Sequence, residues 1–182
     1  MKKISSLALF LALGCSAVTF AAQDPMVGGS PMYPSKNIVE NAMHSADHTT
    51  LVSAVKAAGL VDTLEGPGPF TVFAPTNEAF GKLPAGTVDT LVKPENKEML
   101  TKILTYHVVP GRYDVPKLKK EIKAGGGAAM LKTVNGETLT ATMDGNDIVL
   151  KDQKGGMAHI TIANVYQSNG VIHVIDSVLQ PN

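Results

Sequence analysis

The chain has 182 residues, of which 44% are hydrophobic and 18% are charged, a balance typical of a globular domain rather than a disordered chain. Its 16 basic and 16 acidic side chains cancel, so no overall positive field exists to hold nucleic acid. The single cysteine excludes a disulfide within the chain and argues against a zinc ribbon or an iron–sulfur site. Length and composition therefore predict one domain that is held by its apolar core.

The chain begins with the pattern of a secretory signal peptide. Lys2 and Lys3 precede a long apolar run, and small residues follow it. Thr19 and Ala21 favour cleavage after Ala21, so we assign residues 1–21 to the signal peptide. No other run has the ~20 apolar residues of a membrane span, so no transmembrane helix is expected in the mature chain. The sequence thus predicts a secreted or periplasmic protein.

Cys15 supports an alternative interpretation of the same segment. The five residues that end at Cys15 resemble a bacterial lipobox, although Ala12 stands where such sites usually carry Leu. A lipid on Cys15 would anchor the domain at the cell envelope instead of releasing it. Both interpretations place the mature protein outside the cytoplasm, and they differ in whether it stays attached to a membrane.

The segment after the signal peptide changes from loop-like to helical. Three Pro and two Gly without a period predict an extended leader over residues 22–34, in front of a domain that we place at 35–182. Apolar residues then recur with helical spacing. Ser35 is placed to cap a first helix, and Gly59 is placed to end a second one.

Two extended stretches are predicted within this helical part. Residues 70–74 form an apolar run of β-branched and aromatic side chains before Pro75, which is typical of a strand. Residues 106–109 also look extended and end at Pro110. Further helices with apolar stripes are predicted after Thr76, Pro94 and Asp114.

The last third of the chain changes its apolar period from 3.6 to 2, which predicts strands. Thr138, Thr140 and Thr142 alternate with apolar side chains. Turns are predicted at four residue pairs, Asn135-Gly136, Gly145-Asn146, Gly155-Gly156 and Asn169-Gly170. Helices that are followed by antiparallel strands predict an α+β fold.

The side chains that could carry catalysis or bind a metal do not form a recognised arrangement. His44 and His48 could share one helix face, but no third ligand accompanies them. The acidic stretch at residues 144–147 lacks the distal Glu of a calcium loop and is typical of a hairpin turn. The sequence has no Gly-x-Ser-x-Gly elbow and no phosphate-binding loop. We therefore expect no enzyme activity, no metal and no cofactor.

Three motifs resemble the signatures of fasciclin-like domains. The first is Thr-Val-Phe-Ala-Pro-Thr-Asn-Glu-Ala-Phe at residues 71–80, and the second is the pair Tyr106-His107 with the Val-Val-Pro-Gly that follows it. The third is Asn-Gly-Val-Ile-His-Val-Ile-Asp-Ser-Val-Leu at residues 169–179. The motifs have the order and spacing of the family and together cover about residues 35–181. The chain looks like a single-domain secreted bacterial member of this family.

This resemblance implies a wedge-like α+β fold in which antiparallel strands pack against several short helices. The family is associated with adhesion and matrix interaction, so the resemblance implies a non-catalytic module for a cell-surface or matrix protein or glycan. In animal members the Tyr-His region and an Asp-Ile pair are linked to integrin binding. Tyr106 and His107, with the adjoining loop, are therefore the candidate partner-binding site. Asn164-Val165 stand where Asp-Ile would be, so the carboxylate for a receptor's cation is missing.

The third motif also has a physical interpretation. Its strand is apolar on both faces, which is typical of a buried strand. His173 within it is therefore expected to be a hydrogen-bonded core histidine, and the same argument favours a structural role for His107 beside Val108.

Two alternatives to adhesion remain open. A small-molecule or lipid carrier in the periplasm would use the seven methionines that follow Met1, and it would need an apolar cavity of roughly 300 Å³ or more. A hydrolase would need a pocket in which a carboxylate pair or a Ser–His pair converges. Each alternative thus makes a geometric demand on the interior of the fold.

Overall fold

The computed structural model describes residues 24–182, so the predicted signal peptide at 1–21 and the lipobox at Cys15 lie outside the described residues. The first part is mainly helical, with β1 Met26–Val27, β2 Ser30–Pro31, α1 Ile38–Ala42, α2 Thr49–Ala58, α3 Val61–Glu65, β3 Phe70–Pro75, α4 Asn77–Gly81, α5 Thr87–Leu91 and α6 Lys97–Tyr106. The second part is mainly strands, with β4 Val108–Pro110, α7 Val115–Ala124, β5 Ala128–Lys132, β6 Thr138–Asp144, β7 Asp147–Lys151, β8 Met157–Gln167 and β9 Gly170–Ile175. Short 3₁₀ turns lie at Ala46–His48 and Pro94–Asn96.

Seven strands form one sheet in the order β4-β3-β9-β8-β7-β6-β5. The α+β prediction is confirmed, and the four predicted turns all connect strands. The expectation of antiparallel pairing is wrong for β3 and β9, which run parallel from Phe70 beside Gly170 to Pro75 beside Ile175. Both strands are apolar on both faces and buried, which is the environment in which parallel strands occur.

The central strands separate two apolar cores. Val72 on β3 and Ile172 on β9 face the helix-side core, which the side chains of α1 to α6 complete. Phe73 and Ile175 face the β-side core, which α7 and strands β5 to β8 enclose. Successive residues on a strand point to opposite faces, so each of these strands supplies both cores. The prediction that β9 is a buried strand is confirmed.

Side-chain caps set several of the helix boundaries. The Asp114 carboxylate accepts a hydrogen bond from the first turn of α7, and Gly59 ends α2 with a φ of 72°, both as predicted. The prediction of Ser35 as the first cap is wrong. Asn37 caps α1 instead: its side chain accepts a hydrogen bond from the Glu40 N–H. The Glu40 carboxylate in turn accepts one from the Asn37 N–H, which completes a capping box.

Residues 24–34, the predicted leader, form a short hairpin that packs on the helices. β1 and β2 pair antiparallel, and Val27 and Met32 are buried in the helix-side core. The Asn41 side chain accepts a hydrogen bond from the Tyr33 N–H and donates one to the Tyr33 carbonyl. This stretch is therefore continuous with the folded domain.

Asn169, in the turn before β9, ties distant parts of the chain together. Its Oδ1 accepts a hydrogen bond from the Ile38 N–H at the start of α1, at 3.1 Å. Its Nδ2 donates to the Leu64 carbonyl at 2.7 Å and to the Gly66 carbonyl at 3.1 Å, at the end of α3. Its backbone carbonyl accepts from the Phe70 N–H at the start of β3. The turn thus fastens two helices to the sheet.

We expect Asn169→Ala to lower the free energy of unfolding by about 3 kcal/mol, because it leaves half-buried backbone groups at two helix ends without partners. Asn146→Ala is the matched control, since Asn146 lies exposed in the β6–β7 turn, and it should change that free energy by less than about 0.5 kcal/mol. Urea unfolding followed by circular dichroism measures both. Equal losses of unfolding free energy in the two variants would contradict this role of the Asn169 side chain.

Candidate functional site

Tyr106 and His107 lie at the junction of α6 and β4. The prediction that residues 106–109 are extended is wrong at its start, because Tyr106 is the last helical residue, His107 caps the helix, and the strand begins at Val108. The side chains of Tyr106 and His107 are 0% and 2% exposed. In this conformation neither side chain can contact a partner, so only the segment that they support can.

The Tyr106 side chain is part of the β-side core. Its hydroxyl donates a hydrogen bond of 2.9 Å to the Thr138 carbonyl on β6. Burial, reinforced by the nearby Asp152 carboxylate, raises the pKa of Tyr106 to about 12. The phenol therefore stays neutral and joins the end of α6 to the sheet.

His107 connects three segments through a neutral ring. Its Nδ1 donates to the Ile103 carbonyl at 2.8 Å, and its Nε2 accepts from the Leu179 N–H at 3.0 Å. This pattern places the single proton on Nδ1. Burial lowers the pKa of His107 to about 4, because the charged ring would lose its hydration. The expectation of a structural role for His107 is confirmed.

His173 is likewise a core histidine, as predicted. Its Nε2 donates to the Tyr113 carbonyl at 2.7 Å, its Nδ1 accepts from the Asn164 N–H, and its ring stacks on Phe73. Burial lowers the pKa of His173. Asn164, which stands where the family resemblance implies an Asp, has a φ of 58° and accepts a hydrogen bond from the Val115 N–H, so it shapes the backbone there.

The loop after β4 is the exposed part of the candidate site, and it is firmly held. The Thr71 hydroxyl donates to the Gly111 carbonyl at 2.6 Å and accepts from the Tyr113 N–H at 2.8 Å. The buried His173 ring donates a hydrogen bond to the Tyr113 carbonyl. Three of the residues named here, Thr71, Gly111 and His173, come from the three sequence motifs, so the motifs act by fixing this loop.

Basic and aromatic side chains, exposed or half-buried, surround this loop. Arg112, the only arginine of the chain, is exposed and its guanidinium donates to the Gln167 carbonyl, beside exposed Tyr166. The ammonium of Lys117 lies 4.0 Å from the centre of the Tyr113 ring. We call these four residues, Arg112, Tyr113, Lys117 and Tyr166, the Arg112 surface. The sequence analysis missed it, although a lone Arg-Tyr pair after Pro-Gly was a usable signal.

The histidines considered for metal binding do not converge. His44 is exposed and its Nδ1 donates to the Glu40 carbonyl, whereas His48 is buried against Ser45. Within residues 24–182, no three His, Cys, Asp or Glu side chains are arranged to hold a metal ion. Asp144 pairs with Asp147 across a tight hairpin turn, as predicted. None of the helices in the described part of the chain is long and apolar enough to cross a membrane.

A Ser–His pair does converge in the interior. Ser45 Oγ lies 2.8 Å from His48 Nδ1, and both residues are 3% exposed. In a hydrolytic triad a carboxylate would orient the other ring nitrogen, but His48 Nε2 has no hydrogen-bond partner among residues 24–182. The pair therefore lacks, within residues 24–182, the carboxylate that completes a hydrolytic triad.

An apolar cavity of about 90 Å³ lies beside this pair, in the helix-side core. Val27 and Met32 of the hairpin, Val55 of α2, and Val72 and Ile172 of the sheet contribute to its wall. The carrier alternative needs roughly 300 Å³ or more, so the cavity in this conformation is too small for a lipid.

Comparisons with known proteins agree on one family. A model of the fasciclin domain matches residues 46–181. The chain is 43% identical to protein sll1483 of Synechocystis over 93% of this chain and 90% of that protein. It is 35% identical to the immunogenic protein MPB70 of Mycobacterium bovis, over 93% of this chain and 82% of that protein. The cell surface glycolipoprotein MPB83 of the same species is 33% identical, over 93% of this chain and 72% of that protein.

A solved structure shares the fold. It is a FAS1 domain pair from the insect cell adhesion molecule fasciclin I, with a TM-score of 0.70 and 19% identity. The match covers 79% of this chain and 50% of that chain, so the present protein spans half of the solved pair. At this identity the likeness shows the fold alone.

We expect the protein to lose stability as the pH falls from 6.5 to about 4. The unfolded chain binds a proton at His107 near its ordinary pKa of 6.5, whereas the folded chain resists protonation until about pH 4. His107 alone then accounts for a loss on the order of 3 kcal/mol, and the lowered pKa of buried His173 adds to it. Urea unfolding at a series of pH values measures the slope.

Two comparisons separate this effect from general acid denaturation. His107→Gln should reduce the slope between pH 6.5 and 4, and His44→Gln, at an exposed ring, should leave it unchanged. The pKa of Asp176 is lowered because the His159 N–H and the Lys82 charge outweigh its partial burial. Its contribution is present above its ordinary pKa of about 3.8 and is lost only below that value. A flat profile above pH 4 would contradict neutral burial of His107.

Proposed function

The chain belongs to the fasciclin domain family, and we propose that it is a secreted, non-catalytic binding module for a protein or glycan of a cell surface or extracellular matrix. The family occurs in adhesion molecules, among them the insect protein whose domain pair shares this fold. The incomplete Ser–His pair gives no support to a catalytic role. A module of this kind needs a rigid exposed surface rather than a reactive pocket.

The Arg112 surface is the observation that carries this proposal. Tyr and Arg side chains are enriched in the centres of protein interfaces, because they combine large contact area with hydrogen bonding. The Thr71 and His173 side chains hold the underlying loop, so little entropy is lost when a partner binds. The cations of Arg112 and Lys117 favour a partner that presents carboxylates.

We assign Tyr106 and His107 a positioning role in this site. Their hydrogen bonds to Thr138, Ile103 and Leu179 hold the end of α6, from which β4 leads directly into the loop. The pair then belongs to the partner-binding region without touching the partner.

The mode of attachment to the cell is the second part of the proposal. Residues 1–21 would direct the chain to the periplasm or the exterior, with release after Ala21. The alternative is a lipid anchor at Cys15, and the fact that one relative is named a cell surface glycolipoprotein supports it. Under that alternative the domain is displayed at the cell envelope.

We expect the double variant Arg112→Ala with Tyr166→Ala to lose at least about tenfold in binding to surface or matrix material of the producing cells, because two interface anchors are removed. The matched control is Lys36→Ala with Tyr33→Ala. In this second pair the ammonium of half-buried Lys36 lies 5.3 Å from the ring centre of exposed Tyr33. Fluorescently labelled protein titrated onto washed cells gives the dissociation constants. Equal dissociation constants for the two double variants would contradict the assignment of the Arg112 surface as the binding site.

We expect the mature chain to begin at Ala22 and to be found in the periplasm or the medium. Intact mass of the protein from its own cells, after separation of membrane, periplasm and medium, measures this directly. A lipidated Cys15 in the membrane fraction, released by Cys15→Ser, would establish the anchored form instead. An uncleaved chain in the cytoplasm would refute export altogether.

A further inference from the structure

The lysines of α7 form an exposed basic row beside the Arg112 surface. Leu118 and Ile122 pack into the β-side core, so the opposite face of the helix points to solvent. That face carries three exposed lysines that are spaced by three residues and are neighbours on the helix surface, Lys117, Lys120 and Lys123. We call these three residues the α7 row. Lys117 also belongs to the Arg112 surface, so the two are continuous, and the α7 row extends about 9 Å along the helix axis.

The positive charge of this surface is largely unopposed within the fold. Residues 112–123 hold five basic and two acidic side chains, whereas basic and acidic side chains are equal in number over the whole chain. Asp114 is engaged as the cap of α7, where its carboxylate accepts a hydrogen bond from the Lys117 N–H at 3.0 Å. The ion pairs found within residues 24–182 involve neither Arg112 nor the lysines of α7. These cations are therefore available to an anionic partner.

The remaining charges of α7 lie on the two flanks of the row. The helical repeat places Glu121 on one side of it and Lys119 on the other. The Lys119 ammonium donates to the Asn146 carbonyl at 3.2 Å, beside the exposed Asp144 and Asp147 of the β6–β7 turn. Because these two carboxylates lower the positive potential around Lys119, we leave this lysine out of the site.

Shape and charge together favour an extended anionic polymer. A helix surface is convex, so it cannot enclose a small molecule as a pocket does. The Arg112 guanidinium donates one N–H to the Gln167 carbonyl at 3.3 Å and keeps its other donors for a ligand. A planar guanidinium matches a carboxylate with two parallel hydrogen bonds. The α7 row then offers ammonium groups to further carboxylates of the same polymer.

The two tyrosines favour sugars over a lipid surface. Tyr166 is exposed, and Tyr113 is half-buried with the Lys117 ammonium 4.0 Å from its ring centre. The C–H face of a pyranose ring packs well against an aromatic ring. A helix that lies in a membrane surface needs large apolar side chains on its outer face. The uncharged residues that α7 exposes are only Pro116 and Ala124.

We propose that the Arg112 surface and the α7 row together bind an acidic polysaccharide that carries carboxylates on successive sugars. The carboxylates pair with Arg112 and the lysines of the α7 row, and sugar rings pack against Tyr113 and Tyr166. This inference rests on the proposed function, because it uses the same site, and it narrows the partner to a uronate polymer. Since salt screens exposed charges, the binding weakens as the salt concentration rises.

Three soluble polymers test the partner class with the protein purified from its own cells. Polygalacturonate has carboxylates and sugars, polyglutamate has carboxylates without sugars, and dextran has sugars without charge. Titration calorimetry gives the dissociation constant for each. We expect polygalacturonate to bind at least about fivefold more tightly than polyglutamate, and dextran not to bind. We also expect polygalacturonate to bind at least about tenfold more weakly when NaCl rises from about 0.05 M to about 0.3 M.

A double variant tests the α7 row apart from the Arg112 surface. Lys120→Ala with Lys123→Ala should weaken polygalacturonate binding by at least about fivefold, because two cations are lost. The matched control, Lys56→Ala with Lys93→Ala, removes two exposed lysines from the helical part of the chain and should leave the dissociation constant unchanged. All four side chains are exposed, so neither variant removes core contacts.

Four results would each overturn this inference. They are equal dissociation constants for the two double variants, polyglutamate binding as tight as polygalacturonate binding, tighter binding to vesicles of phosphatidylglycerol, and no binding of polygalacturonate at all. The second result would indicate an acidic protein as the partner, and the third a lipid surface. In each case the binding of labelled protein to washed cells, and its loss in Arg112→Ala with Tyr166→Ala, still tests the proposed function separately.

Discussion

The parallel pairing of β3 with β9 is the constraint on which the rest of the structure depends. Because both strands are covered on both faces, each must supply apolar side chains to two cores at once, as the alternation of Val72 with Phe73 shows. A parallel pair also requires a long connection between its strands. Here that connection contains α4 to α7, β4 and strands β5 to β8, and these elements build most of the β-side core.

Placing polar side chains inside such a fold costs least where their hydrogen bonds are complete. His173 and His107 meet this condition with neutral rings, each donating from one nitrogen to a carbonyl and accepting from a backbone N–H on the other. These bonds join segments that are distant in sequence, and they lose their pattern when the ring takes a second proton. Structural order and sensitivity to acid therefore have the same origin.

The parts of the fold that sequence reasoning predicted are those that depend on neighbours in the chain. Gly59, Asp114 and the hairpin turns act through residues within a few positions, so their signals are local. The burial of residues 24–34 and the parallel pairing could not be predicted this way. The hairpin is held by Asn41, which also bonds to the Gln167 side chain more than a hundred residues away.

The candidate site shows the same division. The motifs identified the family because their residues hold the backbone together: Thr71 and His173 fix a loop, Asn77 ties α4 to the start of α2, and Asn169 clamps helices to the sheet. Because these residues make their hydrogen bonds within the fold, we expect the side chains that contact a partner to lie outside the motifs. Arg112 lies at the surface of this frame, where a side chain retains hydrogen-bonding capacity that the fold itself does not use. Members that share the motifs can thus carry different exposed side chains on one scaffold.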